Sequence, residues 1–324
     1  MNGPSDQMRA AILAGPSDMR VQRVRLPEPG QGEVRVRLHG CGVCASNLPA
    51  WEGRSWFKYP FAPGAPGHEG WGEVDAVGAN VTKAAVGDRV GLLSYHAFAE
   101  FDLASESALV RLPPALKKQP FPAEPLGCAF NVFRRCEIQP GQTVAIIGIG
   151  FLGAILTMLS VRAGARVLAI SRRPFALELA RSFGACETIS LHDHRAIVQR
   201  VNHLTSGQGC ERVIEAVGQQ CPLDLASELT RERGRLVIAG YHQDGPRQIN
   251  MQLWNWRGLD VINAHEREEK VYIAGMQAAV EAVSRGEIDP SPLYTHTFKL
   301  DGLPAALNAM RERPGTFLKA LVLL

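Results

Sequence analysis

The chain is 324 residues long, room for two domains of the usual ~100–200 residues each. Its 46% apolar and 21% charged content is that of an ordinary soluble globular protein. A net charge of +3 gives no reason to expect a nucleic acid or an anionic membrane as partner, and no apolar stretch approaches the ~20 residues needed to span a bilayer.

The polar start, Met1 to Gln7, carries no apolar signal core, so a cytoplasmic location is expected. The cysteines, Cys41, Cys44, Cys128, Cys136, Cys186, Cys210 and Cys221, are odd in number and lack the dense spacing of a secreted scaffold. Free thiols or metal ligands are expected.

In chain order, the first ~110 residues alternate and predict an antiparallel, half-exposed β domain. Its strands are read at Glu33–Leu38 and Gly72–Val77, with short ones at Val86–Val90 and Phe98–Phe101. A proline-rich stretch from Arg111 to Ala123 marks the boundary. From Gly141 the rhythm changes. Val144–Ile147 reads as a buried strand, Leu152–Ala163 as a helix, Arg166–Ile170 as a strand and Ala176–Gly184 as a helix. Strand-like runs follow at Arg212–Ala216, Arg235–Gly240 and Leu259–Ile262. Such alternation predicts a doubly wound parallel sheet. After one more helix, Val271–Ser284, the chain closes on an apolar strand, Leu318–Leu324, which suits the first domain better than the second. The expected architecture is therefore a discontinuous β domain, residues 1–122 and 265–324, with a nucleotide domain, 123–264, inserted in it.

The sequence "GIGFLG", Gly148, Ile149, Gly150, Phe151, Leu152 and Gly153, follows a strand and opens a helix. Gly148 allows the tight turn, Gly150 the approach of a pyrophosphate to the backbone, and Gly153 the close packing of helix on strand. The helix amides and dipole then face the phosphates. At the end of the next strand, NAD sites place a carboxylate on the ribose 2′-hydroxyl. Here stand Ser171, Arg172 and Arg173, suited to a 2′-phosphate. NADP(H) is expected in preference to NAD(H).

The stretches "GCGVCASN", "GHEGWGEVDAVGANVTKAAVGDRV", "AFAEF", "EPLGCA", "GIGFLG" and the tail from "GEIDPSPLYTHTF" to "FLKALVLL" span nearly the whole chain. In them it resembles the medium-chain dehydrogenase/reductase superfamily, in its zinc-dependent alcohol and polyol dehydrogenase branch. The resemblance implies a GroES-like catalytic domain beside a Rossmann cofactor domain, and a homodimer or homotetramer. It also implies a small alcohol, polyol or carbonyl substrate in a pocket between the domains. Trp51, Trp56, Phe57, Tyr95 and His265 are candidate walls for that pocket, whereas His296 reads as structural.

A catalytic zinc takes about three protein ligands and keeps an open position, where it polarises a carbonyl or acidifies an alcohol. The resemblance makes Cys44 the first ligand and His68 the second, with Glu69 able to approach the open position. Glu124 and Cys128 both remain candidates for the third. On a helix their spacing of four puts them on one face. Ser46 stands where the substrate proton is passed on. Three departures carry consequences. Asn47 replaces a carboxylate that supports the histidine ligand, which implies weaker zinc. Pro49 stands where relatives often carry a relay histidine. Gly91–His96 contains none of the cysteines of a structural-zinc lobe, so one zinc per chain is expected. The resulting expectation is a hydride-transferring alcohol or polyol dehydrogenase. A zinc-free quinone or enoyl reductase of the same fold and a non-catalytic NADP(H)-binding protein are the alternatives.

Overall fold

The computed structural model describes residues 6–116 and 119–324. Residues 1–5 of the polar start and two positions of the proline-rich stretch lie outside the described residues.

Strands β1 (Gln7–Gly15) and β2 (Asp18–Arg25) open the chain as a hairpin. There follow β3 (Glu33–Val43), the short helix α1 (Leu48–Trp51), β4 (Glu69–Val77), β5 (Arg89–Leu92), β6 (Phe101–Ser105) and β7 (Leu109–Arg111). Helix α2 (Ala123–Cys136) leads into β8 (Thr143–Ile147), α3 (Phe151–Arg162), β9 (Arg166–Ser171), α4 (Pro174–Ser182) and β10 (Glu187–Ser190). The alternation continues through α5 (His194–Leu204), β11 (Cys210–Glu215), α6 (Gln220–Leu229), β12 (Thr230–Ile238), α7 (Met251–Arg257) and β13 (Asp260–Asn263). Helix α8 (Glu269–Ser284), β14 (Tyr294–Lys299), α9 (Leu303–Glu312) and β15 (Lys319–Leu323) complete the chain. Two compact units result: Met1–Gly127 with Glu268–Leu324, and Cys128–Arg267.

In the first unit the sheet order is β14-β15-β3-β4-β5-β7, with β6 also paired to β3. Val34, Val36 and Leu38 of β3 point inward while Arg35 and Arg37 alternate with them, the half-exposed pattern of an antiparallel sheet. One pair departs from the expected antiparallel arrangement: β14 and β15 run parallel, and α9 supplies the crossover that parallel neighbours need. Leu303, Ala306, Leu307 and Met310 of α9, at helical spacing, bury against the sheet core with Phe98 and Phe317. The last strand, β15, lies antiparallel to β3, with Leu323 opposite Gly40 and Ala320 opposite Val43.

In the second unit the sheet order is β10-β9-β8-β11-β12-β13, and every neighbouring pair is parallel. Counted from β8, this is the doubly wound order in which the strand sequence reverses between the first and fourth strands. Ligands bind at the carboxyl ends of the strands at that reversal. All residues of β8 are buried, because helices cover both faces of a parallel sheet. No helix among the described residues is long and apolar enough to cross a membrane.

Candidate functional site

Among the described residues, one cluster of metal-ligating side chains is found, in the first unit. Ligand atoms of Cys44, His68 and Glu69 lie within 4.8 Å of one another. Cys44 sits where β3 gives way to a single turn, Ala45–Asn47, and His68 immediately precedes β4. The antiparallel pairing of β3 and β4 sets Gly42 opposite Glu69 and so brings the two ligand segments together. A Cβ at Gly42 would stand 1.9 Å from Glu69 Oε2; the position must be glycine for the carboxylate to lie across the strand.

Glu69 is fully buried, and Lys319 Nζ lies 2.5 Å from each of its carboxylate oxygens. Lys319 is itself buried on β15. Burial works against its charge, but Glu69, Cys44 and Glu124 outweigh that cost and hold its pKa above the usual lysine value. Sequence reasoning missed this partner. The available signal was a single lysine inside the apolar run "FLKALVLL".

His68 Nδ1 donates to the Pro66 carbonyl at 2.9 Å, and Nε2 lies 3.4 Å from Ser46 Oγ. Burial alone would lower the pKa of this imidazole. Cys44, Glu124 and Glu69 reverse the effect and push it up to about 10. Asn47, which stands in place of the supporting carboxylate, bonds to backbone instead. Its Oδ1 accepts from Cys44 N at 3.0 Å and its Nδ2 donates to Pro66 O at 2.9 Å. The backbone carbonyl, rather than a side-chain carboxylate, orients the histidine.

Glu124 lies buried in the first turn of α2 and acts electrostatically on both His68 and Lys319. Cys128, one helical turn further on, is half-buried and begins the second unit. A thiolate, an imidazole nitrogen and buried carboxylates form a donor set that fits zinc. Cys41, Cys136 and Cys210 are buried. Burial raises all three thiols, Cys136 and Cys210 to about 12. Cys186 and Cys221 are exposed.

The aromatic candidates separate. Trp51 is a core residue, 2% exposed, with its indole N–H on Asn308 Oδ1 at 3.1 Å, and is not a pocket wall. Phe57 packs against the same core, while Trp56 is exposed. Tyr95 is exposed, and its ring centroid lies 6.4 Å from that of His68. Its short loop is pinned by buried Asp102, which accepts from His96 N at 3.2 Å and Leu103 N at 2.7 Å. Pro49 is buried in α1. His296 contacts Thr295 and packs on Phe317. His265 belongs to the second unit, where Nε2 meets Gly240 O at 3.1 Å.

In the second unit the glycine loop joins β8 to α3. Gly148 has a φ of 98°, and a Cβ on Gly153 would meet Gly148 O at 2.0 Å. Gly150 is the N-cap of α3, has no side-chain cap, and faces open space where its Cβ would be. No side chain of Gly150 caps this helix start, where the helix dipole favours an anion. Ile149 is buried, and Phe151 and Leu152 are half-buried. At the end of β9, Ser171 is buried and its Oγ accepts from Arg173 N at 3.4 Å. The Arg173 guanidinium donates to Ile149 O at 3.3 Å and so spans the loop, while Arg172 is exposed. A buried carboxylate at the neighbouring switch-point strand was also missed. Glu215 accepts from Val217 N at 2.7 Å and Gly218 N at 2.8 Å and meets His242 Nε2 at 3.0 Å.

Both units are similar to known proteins. Residues 30–113 match the family model for an alcohol dehydrogenase GroES-like domain, and residues 152–283 that for a zinc-binding dehydrogenase. A sorbitol dehydrogenase of Bacillus subtilis is 23% identical, covering 97% of each chain. A quinone oxidoreductase of Pseudomonas aeruginosa is 28% identical over 78% of each. The solved alcohol dehydrogenase from Thermus sp. ATN1 superposes with a TM-score of 0.83 at 26% identity, covering 98% of this chain and 100% of that one. The two matched domains, the doubly wound sheet and the cysteine–histidine cluster lead to one assignment: the chain belongs to the medium-chain dehydrogenase/reductase superfamily, in its zinc-type alcohol and polyol dehydrogenase branch.

Proposed function

We propose that the protein is a zinc-dependent, NADP(H)-preferring oxidoreductase. It interconverts a secondary alcohol or polyol with the corresponding ketone or aldehyde. The observation that carries this reading is the convergence of Cys44, His68 and Glu69 on one point within 4.8 Å. Cys44 and His68 would hold the metal, with Glu124 or Cys128 as third ligand. When bound, zinc supplies Lewis acidity toward the substrate oxygen. A nicotinamide, when bound, would supply a hydride acceptor for the alcohol carbon in the oxidative direction, and the hydroxyl proton must leave separately. The Ser46 hydroxyl, beside the His68 ring, takes that proton and passes it to solvent. Lys319 neutralises Glu69, so the site does not carry an uncompensated carboxylate in addition to its thiolate.

The cofactor preference rests on the end of β9. Ser171, Arg172 and Arg173 include no carboxylate to accept from a ribose 2′-hydroxyl, and two guanidinium groups can meet a 2′-phosphate. Charge-assisted contacts are worth roughly 1.5–3 kcal/mol each, so a preference for NADPH over NADH of at least about tenfold is expected in a fluorescence titration. Equal affinities would refute it.

The quinone oxidoreductase relative favours a second reading, a zinc-free reductase on the same fold. Elemental analysis of the purified protein, followed by a panel of alcohols, polyols, aldehydes and quinones, separates the two. One zinc per chain with alcohol turnover supports the first reading. A metal-free protein active only on quinones supports the second.

A further inference from the structure

We propose that Asn47 is a positioning residue that ties both candidate ligand segments to a single backbone carbonyl, and that an amide, not a carboxylate, is required there. This inference rests on the zinc reading above. Asn47 is 3% exposed, so water cannot take over its bonds. Its orientation is fixed by its partners. The Cys44 N–H can only donate, and it meets Oδ1 at 3.0 Å; the Pro66 carbonyl can only accept, and it meets Nδ2 at 2.9 Å. His68 Nδ1 lies 2.9 Å from the same Pro66 oxygen and must therefore carry its proton there. The two lone pairs of one carbonyl are both used, one by the amide that grips Cys44 and one by the imidazole. The consequence for the singly protonated, metal-binding ring is a fixed tautomer: Nε2 alone is left to face Ser46 and the metal position.

An aspartate at this place would keep the bond from Cys44 N but set its second oxygen against the Pro66 oxygen, two acceptors face to face. It would either push the Pro66 segment away or draw the His68 proton off it, and both changes turn the ring. The departure from the family's carboxylate is then compensated by the Pro66 carbonyl, and restoring the carboxylate alone should harm the site.

The test is zinc affinity of the metal-free protein by competition with a chromophoric chelator, below the unfolding midpoint of each form. Wild type, Asn47→Asp and Asn47→Ala are compared. Loss of an orienting bond behind a metal ligand typically weakens binding about 10–100-fold. Both variants should fall in that range, and Asn47→Asp should be no better than Asn47→Ala. Nitrogen NMR of the zinc-loaded wild type should show His68 protonated at Nδ1. If Asn47→Asp binds zinc as tightly as wild type or tighter, the inference is wrong. Should that variant fail to fold, unchanged affinity in Asn47→Ala overturns it equally. Wild-type protein that binds no zinc would instead overturn the metal reading, and this inference with it.

Discussion

Ser46 and Gly150 show how single positions can be tested without touching the metal ligands. Ser46 Oγ lies 3.4 Å from His68 Nε2, close enough to share the fate of the substrate proton but outside the donor set. Ser46→Ala should keep zinc and lower turnover by ~10²–10⁴-fold, the usual cost of losing a positioned proton-transfer group. A variant with full turnover would remove Ser46 from the mechanism. Gly150 and Gly153 are separated by their surroundings. A Cβ on Gly150 meets nothing, whereas one on Gly153 lies 2.0 Å from Gly148 O. Gly150→Ala should therefore leave thermal stability near wild type while weakening NADPH, because the methyl enters the space where a phosphate would lie. Gly153→Ala should destabilise the fold itself by about 1–3 kcal/mol. Equal melting temperatures for the two variants would contradict this assignment of roles.

At the scale of elements, the Glu69–Lys319 pair joins the start of β4 to β15 through a fully buried contact. Removing one partner leaves a buried charge uncompensated, at a cost of about 3–5 kcal/mol. Lys319→Met should show that loss in chemical denaturation. The double variant Glu69→Gln/Lys319→Met should recover most of it, and simple additivity would contradict the pairing. The pH dependence follows from the direction of the shift. The folded pKa of Lys319 is raised above the ordinary lysine value. Its stabilising contribution is therefore fully present below that value and is lost only as pH rises through the folded one. The same pair marks what the sequence withheld. The βα alternation and the glycine loop were legible because two-sided burial writes continuous apolar runs. The β1–β2 hairpin was not, since β2 carries Arg20, Arg23 and Arg25 and has no fully buried residue. Helix α5 buries only Ile197 and Val201, too few for a periodic signal. Cys44, His68 and Glu69 were named through the family resemblance, but their supports were not. Lys319 lies 250 positions from Glu69, and the Pro66 acceptor is backbone, which no residue identity reveals.

For the molecule as a whole, the cysteine–histidine cluster and the glycine loop belong to different compact units, and each is built from its own sheet. Loss of the metal should thus be separable from loss of the cofactor. Cys44 lies at the end of β3, with its backbone N–H held by Asn47, so Cys44→Ser changes the donor atom while leaving that bond available. The most direct measurement is turnover of wild type and Cys44→Ser on one confirmed alcohol substrate, with zinc content and NADPH affinity determined on the same preparations. The expected result is a zinc-free variant that binds NADPH as wild type does and has no measurable turnover. Unchanged turnover in a demonstrably zinc-free variant would mean that the cluster is structural and that the proposed chemistry is wrong.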